Sequence, residues 1–223
     1  MKKTIAFCAV LAAVTVTRAE AQNQPAPCPY CCNMPVSART QETGCYIVAQ
    51  QKIDHLPAGQ LFWHLYTYAT LQEAKQAQSS SAATVVESLG KVWLFNIAPA
   101  DWRPESGKKV AMVGPLQVSP DKRYEARYLE GAIPSGRPGT PVHRHPGPEA
   151  WYVVSGAQCM QTPGKTELVR APGTAVIPGG TPMRVSFPLN DVTRQLVLVL
   201  YDDSQPWMTK AQDWTPTSTC PTQ

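Results

Sequence analysis

The chain has 223 residues, with 20 Lys and Arg against 16 Asp and Glu, 22 prolines and seven cysteines. That length holds one enlarged domain or two small ones and buries a sizeable core. The basic residues are scattered, with no Lys/Arg run and no interleaved aromatic platform, which excludes a nucleic-acid footprint.

At the N-terminus Lys2-Lys3 precede an apolar run over 4–17 and then Ala19-Glu20-Ala21, the layout of a secretory signal peptide cleaved after Ala21. The run, about 14 residues, falls short of the roughly 20 that span a bilayer, and no second long apolar stretch follows. A secreted or periplasmic protein without a stable membrane anchor is expected. Cys8 lies in the run but lacks the small-residue context of a lipoprotein site. Removing 1–21 leaves about 17 basic and 15 acidic side chains, a net charge near +2.

Six cysteines then remain, Cys28, Cys31, Cys32, Cys45, Cys159 and Cys220, and an even number in an exported chain points to disulfides of undetermined pairing. Cys28-Pro29-Tyr30-Cys31 resembles the redox loop of glutaredoxins. It lies in a Pro-rich segment without the strand and helix that position such a thiol, so a structural role is expected. Zinc is disfavoured there because no complementary Cys or His pair sits at finger spacing.

Residues 22–44, rich in Pro, Gln, Asn and Ser, read as an extended leader tied down by its cysteines. The next segment, 45–109, reads as a small α+β region. Strands are expected over 46–53 and 60–68, a helix over 71–78 ended by Ser79-Ser80-Ser81, and one or two strands over 84–97 turning at Leu89-Gly90. His64 would share a strand face with Phe62 and Tyr66 and has no partner at ligand spacing, which favours a core histidine bonded to backbone. His55, beside Pro57-Ala58-Gly59, reads as a loop residue.

From Val110 onward strands and turns alternate every 8 to 12 residues or so, the pattern of an all-β sandwich or barrel. The expected strands are 110–118, 124–130, 141–145, 149–155, 167–170, 174–177, 184–187 and 194–201. Ser119-Pro120-Asp121, Pro163-Gly164 and Gly179-Gly180 supply turns. The tail, 204–223, holds Trp207, Trp214 and Cys220 and is expected to pack across the surface.

The stretch HRHPGPEAWYVVSG carries the chemistry. His143 and His145, two apart on a strand, point the same way, and Pro146-Gly147-Pro148 is turn chemistry that returns Glu149 beside them. Two imidazoles and a carboxylate with open positions suit a divalent metal, most typically non-haem Fe(II), with Mn, Zn, Ni and Cu also compatible. Trp151 shares Glu149's face, either walling a pocket or filling the core.

His143, His145, Glu149 and Gly156 resemble the first sequence motif of the cupin superfamily, with Arg137, flanked by Gly136 and Gly139, where that motif usually starts on glycine. The second motif is matched by Gly173, Pro178 and Gly180, its first gap one residue shorter than usual. Met183 stands where its last ligand is a histidine and Phe187 where it has an asparagine. The resemblance implies a mainly β fold, a cupin-type jelly-roll barrel over about 110–203 preceded by the small α+β region. It also implies a metal site of His143, His145 and Glu149 with Met183 in the fourth position. A thioether there favours copper over iron or manganese, although filling an apolar gap in a core is the commoner role of methionine.

The function expected is a metal-dependent oxidoreductase, dioxygenase-like, exported and acting on a small molecule, with Fe or Mn as the metal and Cu admitted by Met183. Isomerase or lyase chemistry at a Lewis-acid metal fits the same ligands. The alternative is a non-enzymatic periplasmic or extracellular protein that binds a small ligand or metal, and a weaker third reading makes the cysteine-rich leader an interaction arm. Cupin barrels often pair through sheet edges, so the resemblance allows a homodimer.

Overall fold

The computed structural model describes residues 30–188 and 190–220. The expected signal peptide and Cys28 lie outside the described residues. The described chain opens with β1 (Met34–Pro35), a single 3-10 turn (Val36–Ala38) and the long β2 (Gly44–Ile53). β3 (Leu61–Tyr68), helix α1 (Leu71–Gln76), β4 (Ala83–Ser88), β5 (Lys91–Pro99) and β6 (Lys108–Leu116) follow. Next come β7 (Tyr124–Ile133), β8 (His143–Arg144), β9 (Glu149–Ser155) and β10 (Ala157–Thr162). The chain ends through β11 (Lys165–Arg170), β12 (Gly173–Ile177), β13 (Arg184–Ser186), β14 (Thr193–Asp202) and β15 (Thr209–Lys210).

The fold is mainly β, with its sheets layered as in a jelly roll and no closed barrel among the described residues. One sheet runs β1-β2-β7-β14-β9-β12, a second β4-β5-β3-β6, a third β11-β10-β13, and β15 pairs with β8 alone. The six-stranded sheet is the middle layer. Its β14 reads Leu196-Val197-Leu198-Val199-Leu200-Tyr201, apolar at every position because both faces are covered. Leu196, Leu198 and Leu200 pack with Trp63, Trp93 and Phe95 of the four-stranded sheet, while Val197, Val199 and Tyr201 pack with Met160, Val169 and Val185 of the three-stranded one. Each fully buried Leu or Val contributes roughly 1.5–3 kcal/mol, so burial on both faces of this middle layer supplies a large share of the stabilising free energy.

Pairing crosses the boundary drawn at 109/110 in both directions. β2 joins the six-stranded sheet through β7, and β6 joins the four-stranded sheet through β3. The helix begins at the expected residue because Thr70 and Glu73 form a reciprocal capping box. His64 is fully buried, and its Nε2 lies 2.9 Å from the Pro99 carbonyl, the backbone-bonded role expected of it. β10 was not foreseen. Its Ala-Gln-Cys-Met-Gln-Thr sequence does not alternate, since nearly every residue is buried on one face or the other.

Leu89 and Gly90 make the expected turn, both at positive φ (49° and 72°), with Ser88 paired to Lys91. That is the two-residue hairpin geometry whose twist matches the strands. Behind the hairpin the buried Glu130 accepts hydrogen bonds from Ser88 Oγ and the Leu89 N–H and pairs with Arg39, so the carboxylate fastens the turn to the middle sheet. A Cβ at Gly90 would touch nothing, so the cost of Gly90→Ala is that of the backbone conformation alone. Urea unfolding should show a loss of about 1 kcal/mol; an unchanged midpoint would contradict the turn assignment.

Candidate metal centre

Two turns stacked on the middle sheet build the site. Between β8 and β9, Gly147 lies so close to β14 that a Cβ there would sit 2.0 Å from the Leu200 carbonyl oxygen, and Gly179 of the second turn packs directly on it. The Leu200 N–H donates to the Pro148 carbonyl and the Gly180 N–H to the His145 carbonyl, at 3.0 and 2.8 Å. Only glycine allows this approach, and the approach sets where His145 leaves the sheet and Glu149 re-enters it.

His143, His145 and Glu149 are all buried, and each offers a ligand atom, the three lying within 4.8 Å of one another. His143 Nδ1 is 2.8 Å from the Pro141 carbonyl and His145 Nδ1 is 2.6 Å from the Trp207 carbonyl. A carbonyl oxygen only accepts, so both Nδ1 atoms carry the proton and both Nε2 atoms present lone pairs. This is the outer-shell arrangement that orients metal-ligating imidazoles.

The electrostatics agree. Burial pushes His145 down to about 4 and lowers His143, and burial pushes Glu149 up to about 8. His145 Nε2 and Glu149 Oε2 are 3.6 Å apart, yet with an imidazole that resists protonation and a carboxyl that keeps its proton they form no ion pair. Glu149 Oε2 has no hydrogen-bond partner although it is buried. An unsatisfied buried carboxyl oxygen beside two inward lone pairs fits a divalent cation, which would satisfy all three.

The C-terminal tail supplies the rest. β15 pairs with β8, Arg144 reaches Asp213 through two short contacts of 2.6 and 2.7 Å, and Cys159–Cys220 ties the chain end to β10. These ties place Trp207, whose ring stacks on His145 at 5.3 Å with the Arg127 guanidinium 4.3 Å from its centre. Trp207 lies 62 positions from His145 and no spacing pattern connects them, so the tail, expected only to pack across the surface, also supplies a wall of the site.

Met183 exchanges both backbone hydrogen bonds with His143, at 3.1 and 2.8 Å. Direct antiparallel partners share a face, so its side chain lies on His143's side of the sheet. It is buried in the apolar cluster with Val185 and Val199 and does not line the cavity that the three ligand residues face. That cavity has a volume of about 340 Å³ and is walled by Leu129, Ile133, Trp151, Phe187 and Trp207, with Arg137 and Lys210 also contributing. Trp151 thus stands in its wall, on Glu149's strand face. On another side are Cys31, itself disulfide-bonded, and the Cys32–Cys45 disulfide.

No family model matches this chain, and no curated protein matches it. Solved structures do. A DMSP lyase from Ruegeria pomeroyi aligns with a TM-score of 0.34 at 19% identity, over 42% of this chain and 45% of the lyase. A cupin-2 domain containing protein from Shewanella frigidimarina aligns at 0.28 and 14% identity, over 34% and 68%. A cupin superfamily protein from Desulfitobacterium hafniense aligns at 0.32 and 9% identity, over 39% and 74%. The second and third of these are described as cupin proteins. The chain spans under half the length of the lyase.

Glu149 holds a proton at neutral pH, and a bound cation expels it, so loading the site with Mn(II) at pH 7 should release close to one proton per ion. Release should fade above pH 8, and affinity should climb with pH up to that point and then level off. Calorimetry in buffers of different ionisation enthalpy measures this directly; no release at pH 7 would contradict the buried, protonated carboxyl.

Proposed function

We propose that this protein is an exported, metal-dependent oxidoreductase of the dioxygenase type that acts on a small molecule. The observation that carries the reading is the His143, His145, Glu149 cluster facing a largely apolar cavity of about 340 Å³. Two imidazoles and one carboxylate with open positions are the ligand set of non-haem Fe(II) oxygenases, and the volume lies within the range of roughly 300–1,000 Å³ of small-molecule sites. When bound, the ion supplies Lewis acidity and redox capacity; Fe or Mn suits the nitrogen and oxygen donors, and Cu, the ion a Met183 ligand would select, has less support because Met183 packs in the apolar cluster outside the cavity lining.

The chain's own residues do the remaining work. The Pro141 and Trp207 carbonyls hold the two imidazoles in the ligating tautomer. Glu149 gives up its proton as the ion enters. Apolar walls keep water from the reacting molecule, which strengthens every charge interaction inside. Export is supported by the N-terminal signal pattern and by the disulfides Cys32–Cys45 and Cys159–Cys220, which fit an oxidising compartment. Among the described residues no helix is long and apolar enough to cross a membrane.

A second reading, a non-enzymatic binding protein, is favoured by one observation. Among the described residues lining the cavity, no carboxylate or imidazole stands apart from the three ligand residues, which leaves Tyr30 and Lys210 as the groups that could move a proton. Oxygen consumption decides between the two. Iron-loaded protein should consume oxygen with at least one member of a panel of phenols, sugars and thiols, and His143→Ala should abolish that consumption. Ligand binding with no oxygen consumption across the panel would leave the binding protein.

A further inference from the structure

Of the thirteen buried side-chain polar atoms without a partner among the described residues, three belong to residues that line this one cavity. They are Glu149 Oε2, Trp151 Nε1 and Gln195 Oε1, on side chains 4%, 5% and 3% exposed. Buried polar atoms are nearly always hydrogen-bonded; Glu149 Oε2 falls to the cation, and Trp151 Nε1 and Gln195 Oε1 are left for a ligand's own polar atoms to satisfy.

Their placement is ordered. Glu149, Trp151 and Val153 alternate on one face of β9, and β14 sets Val199, Val197 and Gln195 opposite them in turn. Glu149 therefore marks one end of a ladder and Gln195 the other, four residues or roughly 13 Å along the strands, with the Trp151 indole between. At the Gln195 end β7 carries Gly131, where a Cβ would come within 2.8 Å of the Gln195 amide nitrogen, so the missing side chain makes room for the amide.

We infer that the cavity takes an elongated, mostly apolar molecule with oxygen at both ends, selected by Gln195 for a terminal hydroxyl and by Trp151 for an oxygen acceptor midway. The inference rests on the metal reading above, which places the near end of the molecule at His143, His145 and Glu149. A hydroxyl both donates and accepts, so it satisfies a carboxamide in either orientation, whereas the indole N–H can only donate. The walls of Leu129, Ile133, Phe187 and Val197 receive the apolar body.

The test compares 3-(4-hydroxyphenoxy)propanoate with 3-phenoxypropanoate, which lacks only the terminal hydroxyl, by calorimetric titration into the full-length protein after Mn(II) uptake has been measured. Wild-type protein should bind the hydroxylated probe about tenfold more tightly. Gln195→Met, close in shape and apolar, should bring the two probes to parity, and Trp151→Phe should weaken both several-fold through the shared ether oxygen. Equal binding of the two probes by wild type, as expected if water alone satisfies Gln195, overturns the inference without any variant. So does a hydroxyl preference that survives in Gln195→Met. Failure of the metal reading shows separately as absent Mn(II) uptake by wild type, and the probe comparison on that metal-free protein still reads Gln195.

Discussion

A carboxyl group and two imidazoles share one buried, largely apolar pocket, and much of the surrounding structure serves to keep them there. Burying an unpartnered polar group costs on the order of a few kcal/mol, so such a cluster persists only on a stiff frame and with a compensating occupant. The imidazoles have already spent their Nδ1 protons on the Pro141 and Trp207 carbonyls. What remains is the pair of Nε2 atoms and the unpartnered Glu149 Oε2, and the ligand atoms of the three residues are gathered within 4.8 Å of one another.

The frame is the middle sheet. Because β14 is buried on both faces, its backbone is a fixed surface, and the turn at Gly147 lies against it with no side chain between. Glu149 then follows on β9, paired with Val199 of β14. Among the described residues the four-stranded sheet contributes none to the cavity; it covers the far face of this platform. The tail is the other support, tied by β15, by Arg144 to Asp213 and by Cys159 to Cys220, and it delivers Trp207 to the edge of His145.

Much of this was legible in the sequence for local reasons. The i, i+2 spacing of His143 and His145 and the Pro-Gly-Pro turn before Glu149 encode a short-range geometry that needs no distant information, and Leu89-Gly90 declares its hairpin in two residues. Long-range pairings were not legible. Nothing in 45–53 announces that it joins the sheet of 124–133, because a strand's alternation is satisfied by any apolar neighbour. Trp207 and Gln195 were missed for the same reason: each acts through a contact made by topology. Met183 was visible at the ligand position of the second motif, and the structure adds that it pairs with His143 through the backbone while its side chain packs in the apolar cluster.

Metal content of protein purified without a histidine tag tests the central claim most directly, because everything derived for the pocket depends on a cation among His143, His145 and Glu149. After reloading with Fe(II), Mn(II) or Cu(II) and desalting, wild type is expected to retain about one ion per chain and Glu149→Ala to retain far less at equal fold content. Wild type that retains none of the three ions, or Glu149→Ala that retains as much as wild type, would contradict the metal centre.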